Sequence, residues 1–520
     1  MEGSNAPPRG GPWLRLRDGR WQIAVAAVAV VLYLPSVGFG WVYDDQMEVV
    51  RNTVIRSFAN VPAMFSSTVW AGSGMETYLY RPLALVSYAA NYAVSGLSPW
   101  SYHLVNVLLH AGVAALVVRV GLLWGLSAGA AGMAGVLFAV HPVHVEAVAA
   151  VFARKDLLAT LFVLATLLSH RRGLSRGGVN AALPILWFTL AMLSKEIGVV
   201  ALPLVLLQDL RLERDRRTFF DRRRVMVLYF GYMTSLVAYL LIRVAVVGGF
   251  GIGETYWLDN PLVAASVPVR LVTAAVVLAK GVGLLVLPLN LSPDYSYDAI
   301  PPVTSVTDPR LVGVLAVAAL LAWGLAHHRW RRGAAWAVGA YLVAIFPVAN
   351  FAVVTGTIFG DRLLYLPSVA FCLSVGWAAG ATIGRSPEAG PAIRTAAAVA
   401  LLLLGAQTVR YSLAWTDDIA LFSWATATQP NSTKAHHKLG EELLRAGRIG
   451  EALPSLERAL VIAPANVHAR ETLATALQLA AADTSEGPDL LRGFIASAGS
   501  RHPREVAWAR EMLRLLGEEP

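Results

Sequence analysis

Apolar runs recur along most of this chain, and they constrain its fold more than any other feature. Examples are residues 23–33, 225–245 and 399–404, and 56% of the 520 residues are hydrophobic against 15% charged. A soluble domain has about 45–50% apolar and about 25% charged residues, so a polar surface could not enclose this chain. Windows of about 20 apolar residues are typical of helices that span a bilayer. The sequence therefore predicts an all-α polytopic membrane protein and excludes soluble, disordered and collagen-like chains.

The apolar runs predict eleven membrane-spanning helices. The candidate stretches are 21–38, 102–124, 127–140, 157–170, 181–194, 197–209, 225–245, 310–327, 334–350, 363–383 and 395–410. Arg-rich segments precede the first stretch and recur in alternate loops, and basic residues favour the cytoplasmic side. This alternation places the N-terminus inside and the C-terminal part outside if the apolar stretch 266–288 does not cross. Because that stretch carries Arg270 and Lys280, we predict that it is re-entrant or lies in the interface.

The net charge of +9 would indicate a nucleic-acid partner in a soluble protein. Here the basic residues lie in short segments between apolar stretches, so the lipid bilayer is the expected partner and nucleic acid is not. Only five of the 43 basic residues are Lys, a bias typical of a GC-rich bacterial coding background. The expected location is therefore a bacterial inner membrane. The single cysteine, Cys372, excludes an intramolecular disulfide.

Composition divides the chain into three parts. We predict a cytoplasmic segment at 1–20, a membrane domain at 21–410 with a long first outer loop at 39–101, and an extracytoplasmic helical domain at 411–520. Pro430 and Pro464 lie 34 residues apart in the last part, each after an apolar helix. Thirty-four residues is the tetratricopeptide period. The length allows about two and a half units, and so short a stack should lean on the membrane domain or on a partner.

An acidic pair, Asp44 and Asp45, follows the first predicted span. One Asp could cap a helix that starts at Gln46. Alternatively, a carboxylate here could take a proton from an acceptor hydroxyl or help to hold a divalent cation. No residue pattern demands a cofactor, so a divalent cation is the one cofactor left open.

A second polar cluster lies between the third and fourth predicted spans. It comprises His141, His144, Glu146, Arg154, Lys155 and Asp156. On a continuous helix, His144 and Lys155 would share one face and could contact different parts of an extended ligand. Zinc ligation by the histidines and Glu146 is an alternative, but the spacing matches no recognised ligand pattern. A third interpretation is a snorkelling Arg154-Lys155 pair beside a helix cap.

Further ionisable residues lie on the same predicted outer face. They are Arg81 in the first loop, Lys195-Glu196 between two short spans and Asp361-Arg362 before the tenth span. Lys195-Glu196 could also form only a hairpin between helices. Several cations and carboxylates on one membrane face suit a ligand that carries a phosphate and hydroxyl groups. The sequence has no P-loop, no GxSxG and no Cys/His nucleophile motif.

These polar segments together resemble one family. They read WVYDDQMEVVRN, YRPLALVSYAANYAVSG, LFAVHPVHVEAVAAVFARKDLLA, AMLSKEIGV, LPLNLSPDYSYDAIP and TIFGDRLLYLPSVAFCL. From about Trp41 to about Pro464 the chain resembles the transmembrane and tetratricopeptide-repeat O-mannosyltransferases (the TMTC family), of the GT-C class of membrane glycosyltransferases. The resemblance implies transfer of mannose or a similar hexose from a polyprenyl or dolichyl phosphate to a hydroxyl acceptor, such as protein Ser or Thr, on the outer face.

The resemblance also implies roles for individual residues. Asp44 and Asp45 match the family's acidic pair, one of which would be the base in an inverting transfer. The remaining matches are Arg81 in YRP, His141, His144 and Glu146 in HPxHxEA, Arg154 and Asp156 in Arg-x-Asp, Lys195 and Glu196 in SKE, and Asp361 and Arg362 in the acidic-Arg-LYLPS element. With Lys155, these residues would bind the donor phosphate and the substrates. The C-terminal part is shorter than the repeat arrays of eukaryotic members, which leaves the sugar and the acceptor open.

Two other functions fit the same sequence. An oligosaccharyl transferase or an O-antigen-ligase-like enzyme would also combine many spans with outer repeats, but it would use a lipid pyrophosphate donor. A non-enzymatic membrane scaffold would display the repeats to partners, although the motifs here are intact. A transporter is disfavoured, because the polar residues gather at one face and not at the bilayer midplane.

Overall fold

The structure, a computed structural model, describes residues 19–214, 222–249, 255–326, 331–482, 486–499 and 501–518. Most of the predicted cytoplasmic segment 1–20 lies outside these ranges, which contain α-helices, short helical turns and loops but no strand. The α-helices are α1 (Arg20–Tyr33), α2 (Val61–Phe65), α3 (Pro82–Ser95), α4 (Trp100–Leu123), α5 (Ala128–Val140), α6 (Val145–Ala149), α7 (Arg154–Arg176), α8 (Val179–Ser194), α9 (Ala201–Arg214), α10 (Arg222–Val247), α11 (Val267–Val286), α12 (Leu311–Ala326), α13 (Arg331–Ile345), α14 (Pro367–Arg385), α15 (Gly390–Ser412), α16 (Asp418–Thr428), α17 (Thr433–Arg445), α18 (Ile449–Ile462), α19 (Val467–Ala482), α20 (Gly487–Ala498) and α21 (Pro503–Leu515).

Several helices have the length and apolar composition of membrane spans. Within the described ranges, six segments qualify: Arg20–Gly38, Trp100–Leu123, Arg222–Val247, Val267–Val286, Pro367–Arg385 and Pro387–Trp415. A seventh would be α5 with Pro142–Ala149, two helices that meet at an angle of 51°. The helices Val179–Ser194, Leu311–Ala326 and Ala335–Val348 are apolar but shorter. The chain is thus built as an all-α membrane protein, whereas the count of eleven crossings stays a prediction.

Small residues bring the central helices close together. A Cβ atom on Gly135 of α5 would lie 2.4 Å from a methyl carbon of Val118 on α4. A Cβ atom on Gly376 of α14 would lie 2.5 Å from the carbonyl oxygen of Ala130 on α5. Contacts of this kind are typical of membrane helices, which associate through close packing because lipid gives little hydrophobic drive. The packed centre formed by α4, α5 and α14 supports the loops described next.

The segments before and after α11 contact the same loop of the protein. Before the helix, Asn260 donates a hydrogen bond of 2.8 Å from Nδ2 to the carbonyl of Thr355. After it, the N–H of Ser292 donates to Oδ2 of Asp361 at 3.2 Å, in the same loop as Thr355. The chain then runs back along the helix, since the N–H of Val303 donates to Oγ1 of Thr273 at 2.8 Å.

The predicted stretch 266–288 is therefore one unbroken helix and not a re-entrant pair. Its length and apolar composition alone would allow a crossing. The contacts of its two flanking segments with one loop instead favour the other prediction, a helix in the interface, because a crossing would carry these segments towards opposite faces.

The C-terminal helices pack as successive neighbours, α17 on α18, α18 on α19, and α20 on α21. Helices α17 and α19 begin 34 residues apart, at Thr433 and Val467. Their capping residues, Ser432 and Asn466, have the same spacing. Ser432 Oγ accepts from the N–H of Ala435 at 3.0 Å, and Asn466 Oδ1 from that of Ala469 at 3.1 Å. We call residues 416–518 the repeat domain; its assignment to the tetratricopeptide class stays a prediction.

Candidate functional site

The two members of the acidic pair have different environments. Asp45 is fully buried, and its carboxylate accepts hydrogen bonds from the N–H of Phe152 at 2.6 Å and from the N–H of Val42 at 3.2 Å. Burial raises the pKa of Asp45 to about 8. Asp45 lies before the π-helical turn Gln46–Val50 but makes no capping bond to it. It anchors the first outer loop to the segment before α7, so the predicted cap does not form.

Asp44 is the available carboxylate of the pair. It is partly buried, and within the described ranges its side chain has no hydrogen-bond or ion-pair partner. It interacts electrostatically with Lys155 and Arg362. The preceding residue, Tyr43, has a φ of +53°, which is uncommon for a residue other than glycine. An unpaired carboxylate next to a strained backbone and two cations is an arrangement that functional sites favour.

Four ion pairs each join a cation to a carboxylate from a different segment, and two of the cations, Lys155 and Arg362, are those that interact with Asp44. The pairs are Arg81 with Glu196 at 3.0 Å, Lys195 with Asp156 at 2.6 Å, Lys155 with Glu48, and Arg362 with Glu146. The first outer loop, α6, the start of α7, the turn after α8 and the turn before α14 all contribute. We call these eight residues the ion-pair network.

The four pairs form one electrostatic unit. Lys195 interacts with Arg81 and Arg362 as well as with its own partner, Asp156. Burial lowers the pKa of Lys195 to about 8, although Asp156 counteracts part of this effect. The ring of Phe152 contacts two of the cations, with its centroid 5.3 Å from Nζ of Lys155 and 5.4 Å from Cζ of Arg362. Four cations matched by four carboxylates can rearrange around a ligand that carries both a phosphate and hydroxyl groups.

Two carboxylate oxygens in the network have no partner. Oδ2 of Asp156 and Oε1 of Glu196 are buried and accept no hydrogen bond from the described part of the protein. Leaving a buried acceptor unsatisfied costs about 1–3 kcal/mol. Oxygens of this kind suit a ligand that donates hydrogen bonds, as sugar hydroxyls do.

A glycine shapes the turn that presents Lys195 and Glu196. A Cβ atom on Gly198 would lie 2.3 Å from the carbonyl carbon of Ala191 in α8, and its N–H donates to the carbonyl of Lys195 at 2.9 Å. The turn can fold this tightly against α8 only without a side chain at 198.

Arg154 is separate from the ion-pair network. Its guanidinium donates to Oδ1 of Asn106 at 2.8 Å, to Oδ1 of Asn91 at 2.6 Å and to the carbonyl of Tyr102 at 2.9 Å. It also lies over the ring of Tyr88, with Cζ 4.8 Å from the centroid. These contacts tie α7 to α3 and α4, and contact of Arg154 with a ligand stays a prediction.

The two histidines are also bound to protein groups. Nε2 of His141 lies 2.9 Å from the carbonyl of Leu285 in α11, and Nε2 of His144 lies 2.8 Å from Oγ of Ser368 in α14. Glu146 pairs with Arg362, so these side chains do not converge on a metal. In the ranges that the structure describes, no group of three or more His, Cys, Asp or Glu side chains could hold a metal ion.

Asp361 is buried and joins the turn before α14 to the loop after α11 and to α15. Its carboxylate accepts hydrogen bonds from the hydroxyls of Tyr295 at 2.9 Å and Tyr411 at 3.2 Å. Burial raises the pKa of Asp361 well above its usual value. The neighbouring residue, Arg362, instead reaches the ion-pair network.

Comparison with known proteins shows a similarity to one family. A family model described as Protein O-mannosyl-transferase TMTC, DUF1736 matches residues 254–322, which hold α11, the loop that runs back along it and most of α12. Protein O-mannosyl-transferase F38B6.6 of Caenorhabditis elegans is 26% identical over 454 residues, and human protein O-mannosyl-transferase TMTC4 is 28% identical over 483. The chain is TMTC-like.

The TMTC-like chain is shorter than these relatives. The matches cover 85% and 82% of this chain but 62% and 64% of the two relatives. Protein O-mannosyl-transferase Tmtc2 of Drosophila melanogaster is 34% identical over 299 residues, which is 55% of this chain and 31% of that protein. These relatives are animal proteins, and a bacterial origin stays a prediction. No solved structure matches the chain.

Several residues around this site are not apparent from the sequence. Glu48 lies four residues after Asp44, and this spacing could have revealed it on a helical turn. Tyr43 and Asp259 could not be singled out without their neighbours in space. The carboxylate of Asp259 pairs with Lys434 at 2.7 Å, and the ammonium of Lys434 lies 5.3 Å from the centroid of the Tyr43 ring. Lys434 lies on α17, where the pattern of a repeat predicts only a solvated polar face.

Proposed function

We propose that this TMTC-like chain is a membrane glycosyltransferase that transfers a hexose, such as mannose, from a polyprenyl-phosphate donor to a hydroxyl group, such as that of protein Ser or Thr. The observation that carries the proposal is the unpaired carboxylate of Asp44 beside a network of four ion pairs. Transfer from a phosphate needs a base for the acceptor and cations for the leaving group. Both kinds of group meet here.

In the proposed reaction, Asp44 takes the proton of the acceptor hydroxyl. The acceptor oxygen attacks the anomeric carbon as the bond from that carbon to the phosphate oxygen breaks, and the phosphate leaves with the electron pair. Lys155 and Arg362, which interact with Asp44, stabilise the charge on that phosphate. Attack from the side opposite the phosphate inverts the configuration at the anomeric carbon.

The ion-pair network would also bind the donor before the reaction. A phosphate competes with the carboxylate partners for Arg81, Lys155, Lys195 and Arg362. The unpartnered oxygens of Asp156 and Glu196 then accept hydrogen bonds from hydroxyls of the hexose. Apolar helices around the site would hold the isoprenoid tail.

The proposed setting is the extracytoplasmic face of the membrane. The Arg-rich loops between the apolar helices favour the opposite, cytoplasmic face, and the repeat domain lies on the same face as Asp44. The repeat domain would therefore be the part that meets a protein acceptor. A divalent cation at the donor phosphate stays a prediction.

Reconstitution of the full chain tests the proposal. The protein in lipid nanodiscs would receive radiolabelled polyprenyl-phosphate mannose or glucose and a Ser/Thr-rich polypeptide, and transfer would be measured. We expect transfer that Asp44→Asn abolishes and that Asp489→Asn, an exposed carboxylate on the repeat domain, leaves intact. If the chain copurified with a lipid pyrophosphate oligosaccharide and transferred that glycan, the ligase alternative would replace the proposal. If the protein bound no lipid-linked sugar, the scaffold alternative would replace the proposal.

A further inference from the structure

The repeat domain is bonded directly to the loop that carries Asp44. The N–H of Gly40 donates to the carbonyl of Thr416 at 3.0 Å. The N–H of Tyr43 donates to Oδ1 of Asp418 at 2.7 Å. The residue next to the proposed base is thus held by a side chain from the first helix of the repeat domain.

Tyr43 is also held through its ring. The ring packs edge-on between Phe152 of the membrane domain, at a centroid distance of 5.8 Å, and Phe422 of α16, at 5.7 Å. Because Tyr43 has a positive φ, its backbone persists in this conformation only where its surroundings fix it. Contacts on both sides of the ring supply that restraint.

Lys434, at the start of α17, completes the contacts around this ring. Its ammonium lies 5.3 Å from the centroid of the Tyr43 ring and 2.7 Å from Oδ1 of Asp259. Burial alone would lower the pKa of Lys434, but Tyr43, Asp259 and Asp294 outweigh it and raise the pKa well above the usual value. The side chain is therefore a permanent cation over the Tyr43 ring, in the geometry of a cation–π contact.

We propose that Lys434 is a positioning residue of the site, which holds Tyr43 from the repeat domain and thereby sets the direction of the Asp44 carboxylate. On the other side of Asp44, Asp45 is fixed by Phe152 of the membrane domain. The proposed base, Asp44, thus lies between Tyr43, which the repeat domain holds, and Asp45, which the membrane domain holds. Without Lys434, Tyr43 would lose the contact that holds the remaining face of its ring, and a misplacement of Asp44 by about 1 Å can lower a rate by about 100-fold.

This proposal rests on the proposed function, in which Asp44 is the base, so its test includes a readout that needs no activity. Lys434→Met removes the charge and keeps an unbranched apolar side chain, and Lys434→Arg keeps the charge. Lys438→Met is the matched control, because Lys438 lies one turn later on α17 and pairs with Glu441 at 2.6 Å. For each full-length variant in nanodiscs, hydrogen exchange of residues 39–52 and the kcat and donor KM of transfer would be measured.

We expect Lys434→Met to speed exchange at residues 39–45 by about tenfold and to lower kcat by about 10- to 100-fold with the donor KM unchanged. Lys434→Arg should retain most of the wild-type protection from exchange and most of the wild-type kcat. Lys438→Met should behave as wild type. Unchanged exchange in Lys434→Met would overturn the proposal, as would faster exchange with an unchanged kcat. If the wild type transferred no hexose, the proposed function would fail, and the exchange comparison would still decide whether Lys434 holds the loop.

Discussion

The carboxylate of Asp45 accepts a hydrogen bond of 2.6 Å from the backbone N–H of Phe152, and this contact separates the two members of the acidic pair. Asp45 is fully buried and holds the first outer loop in place, whereas Asp44 is only partly buried and is unpaired within the described ranges. Adjacent carboxylates therefore have different environments in this protein, and under the proposed function only Asp44 would take part in the reaction.

Substitution of each carboxylate should give a different defect. We expect Asp44→Asn to lower hexose transfer by about 100-fold or more with normal yield and melting temperature, because only the proposed base is lost. Asp45→Asn should lower the melting temperature, because an amide can replace only one of two buried acceptor oxygens. Transfer assays and thermal melts of both purified variants check this. Equal melting temperatures, with transfer lost only in Asp45→Asn, would assign the base to Asp45.

Stability should depend on pH through Asp45. Its pKa is raised to about 8 in the folded protein and returns to about 4 on unfolding. Between these values the folded state keeps a proton that the unfolded state releases, so this group makes the protein less stable as pH rises from about 4 to about 8, and the loss levels off above that. The melting temperature of the wild type minus that of Asp45→Asn should therefore be smaller at pH 8 than at pH 5. An equal difference in melting temperature at both pH values would contradict this prediction.

Much of the site follows from one rule of membrane proteins, which is that ionisable groups at membrane depth are costly and therefore informative. The sequence picks out Arg81, Lys155, Lys195 and Arg362, and the structure brings all four into one network. The rule does not distinguish a cation that faces a ligand from one that packs inside the protein. Arg154 shows this limit, because its role depends on tyrosine and asparagine neighbours that come from distant helices.

Two Arg→Lys substitutions should separate donor binding from folding. Arg362→Lys should weaken binding of a polyprenyl-phosphate hexose by about 1.5–3 kcal/mol, since an ammonium replaces a bidentate guanidinium poorly. Arg154→Lys should lower the melting temperature but leave donor affinity in the folded fraction unchanged, because its partners are Asn91, Asn106 and Tyr102. Direct binding and melting measurements on both variants check this. A loss of donor affinity only in Arg154→Lys would mean that the phosphate site is misplaced.

The turn after α8 should not tolerate a side chain at 198. Gly198→Ala would push the turn away from Ala191, and with it Lys195 and Glu196, so we expect donor affinity to fall together with the melting temperature. Gly283→Ala in α11 is the matched control, because a Cβ atom there meets nothing within 4 Å. It should raise stability by about 0.5–1 kcal/mol and leave donor affinity unchanged. A Gly198→Ala protein with normal affinity would show that the turn does not set the network.

Cysteine labelling should show whether α11 crosses the membrane. The natural Cys372 is buried, so single cysteines at Val263, before α11, at the exposed Asn290, just after it, and at Glu388 can be probed with a membrane-impermeant maleimide in sealed, oriented vesicles. We expect 263 and 290 to react from the same side, because the segments that flank α11 contact one loop, and 388 to react only after permeabilisation. Opposite access at 263 and 290 would establish a crossing and would place the repeat domain on the cytoplasmic side.

The sequence could not have shown how the two domains meet. A period of 34 residues places Lys434 on a helix, but the same period predicts a solvated side chain there, since repeat patterns describe contacts within the stack. The contact with Tyr43 depends on how the stack lies against the membrane domain. The segments before and after α11, which supply Asp259 and Asp294 respectively, are parts of that surface.

The hydrogen bond between Tyr43 and Asp418 joins residues 375 positions apart, and it has a consequence for biosynthesis. The loop that carries Asp44 leaves the ribosome early, but it cannot reach its final conformation until residue 418 has been made and has arrived at the same face. A nascent chain that holds the membrane helices but not residue 418 would therefore lack this restraint on Tyr43. Under the proposed function, transfer would begin only after the start of the repeat domain had docked against the first outer loop.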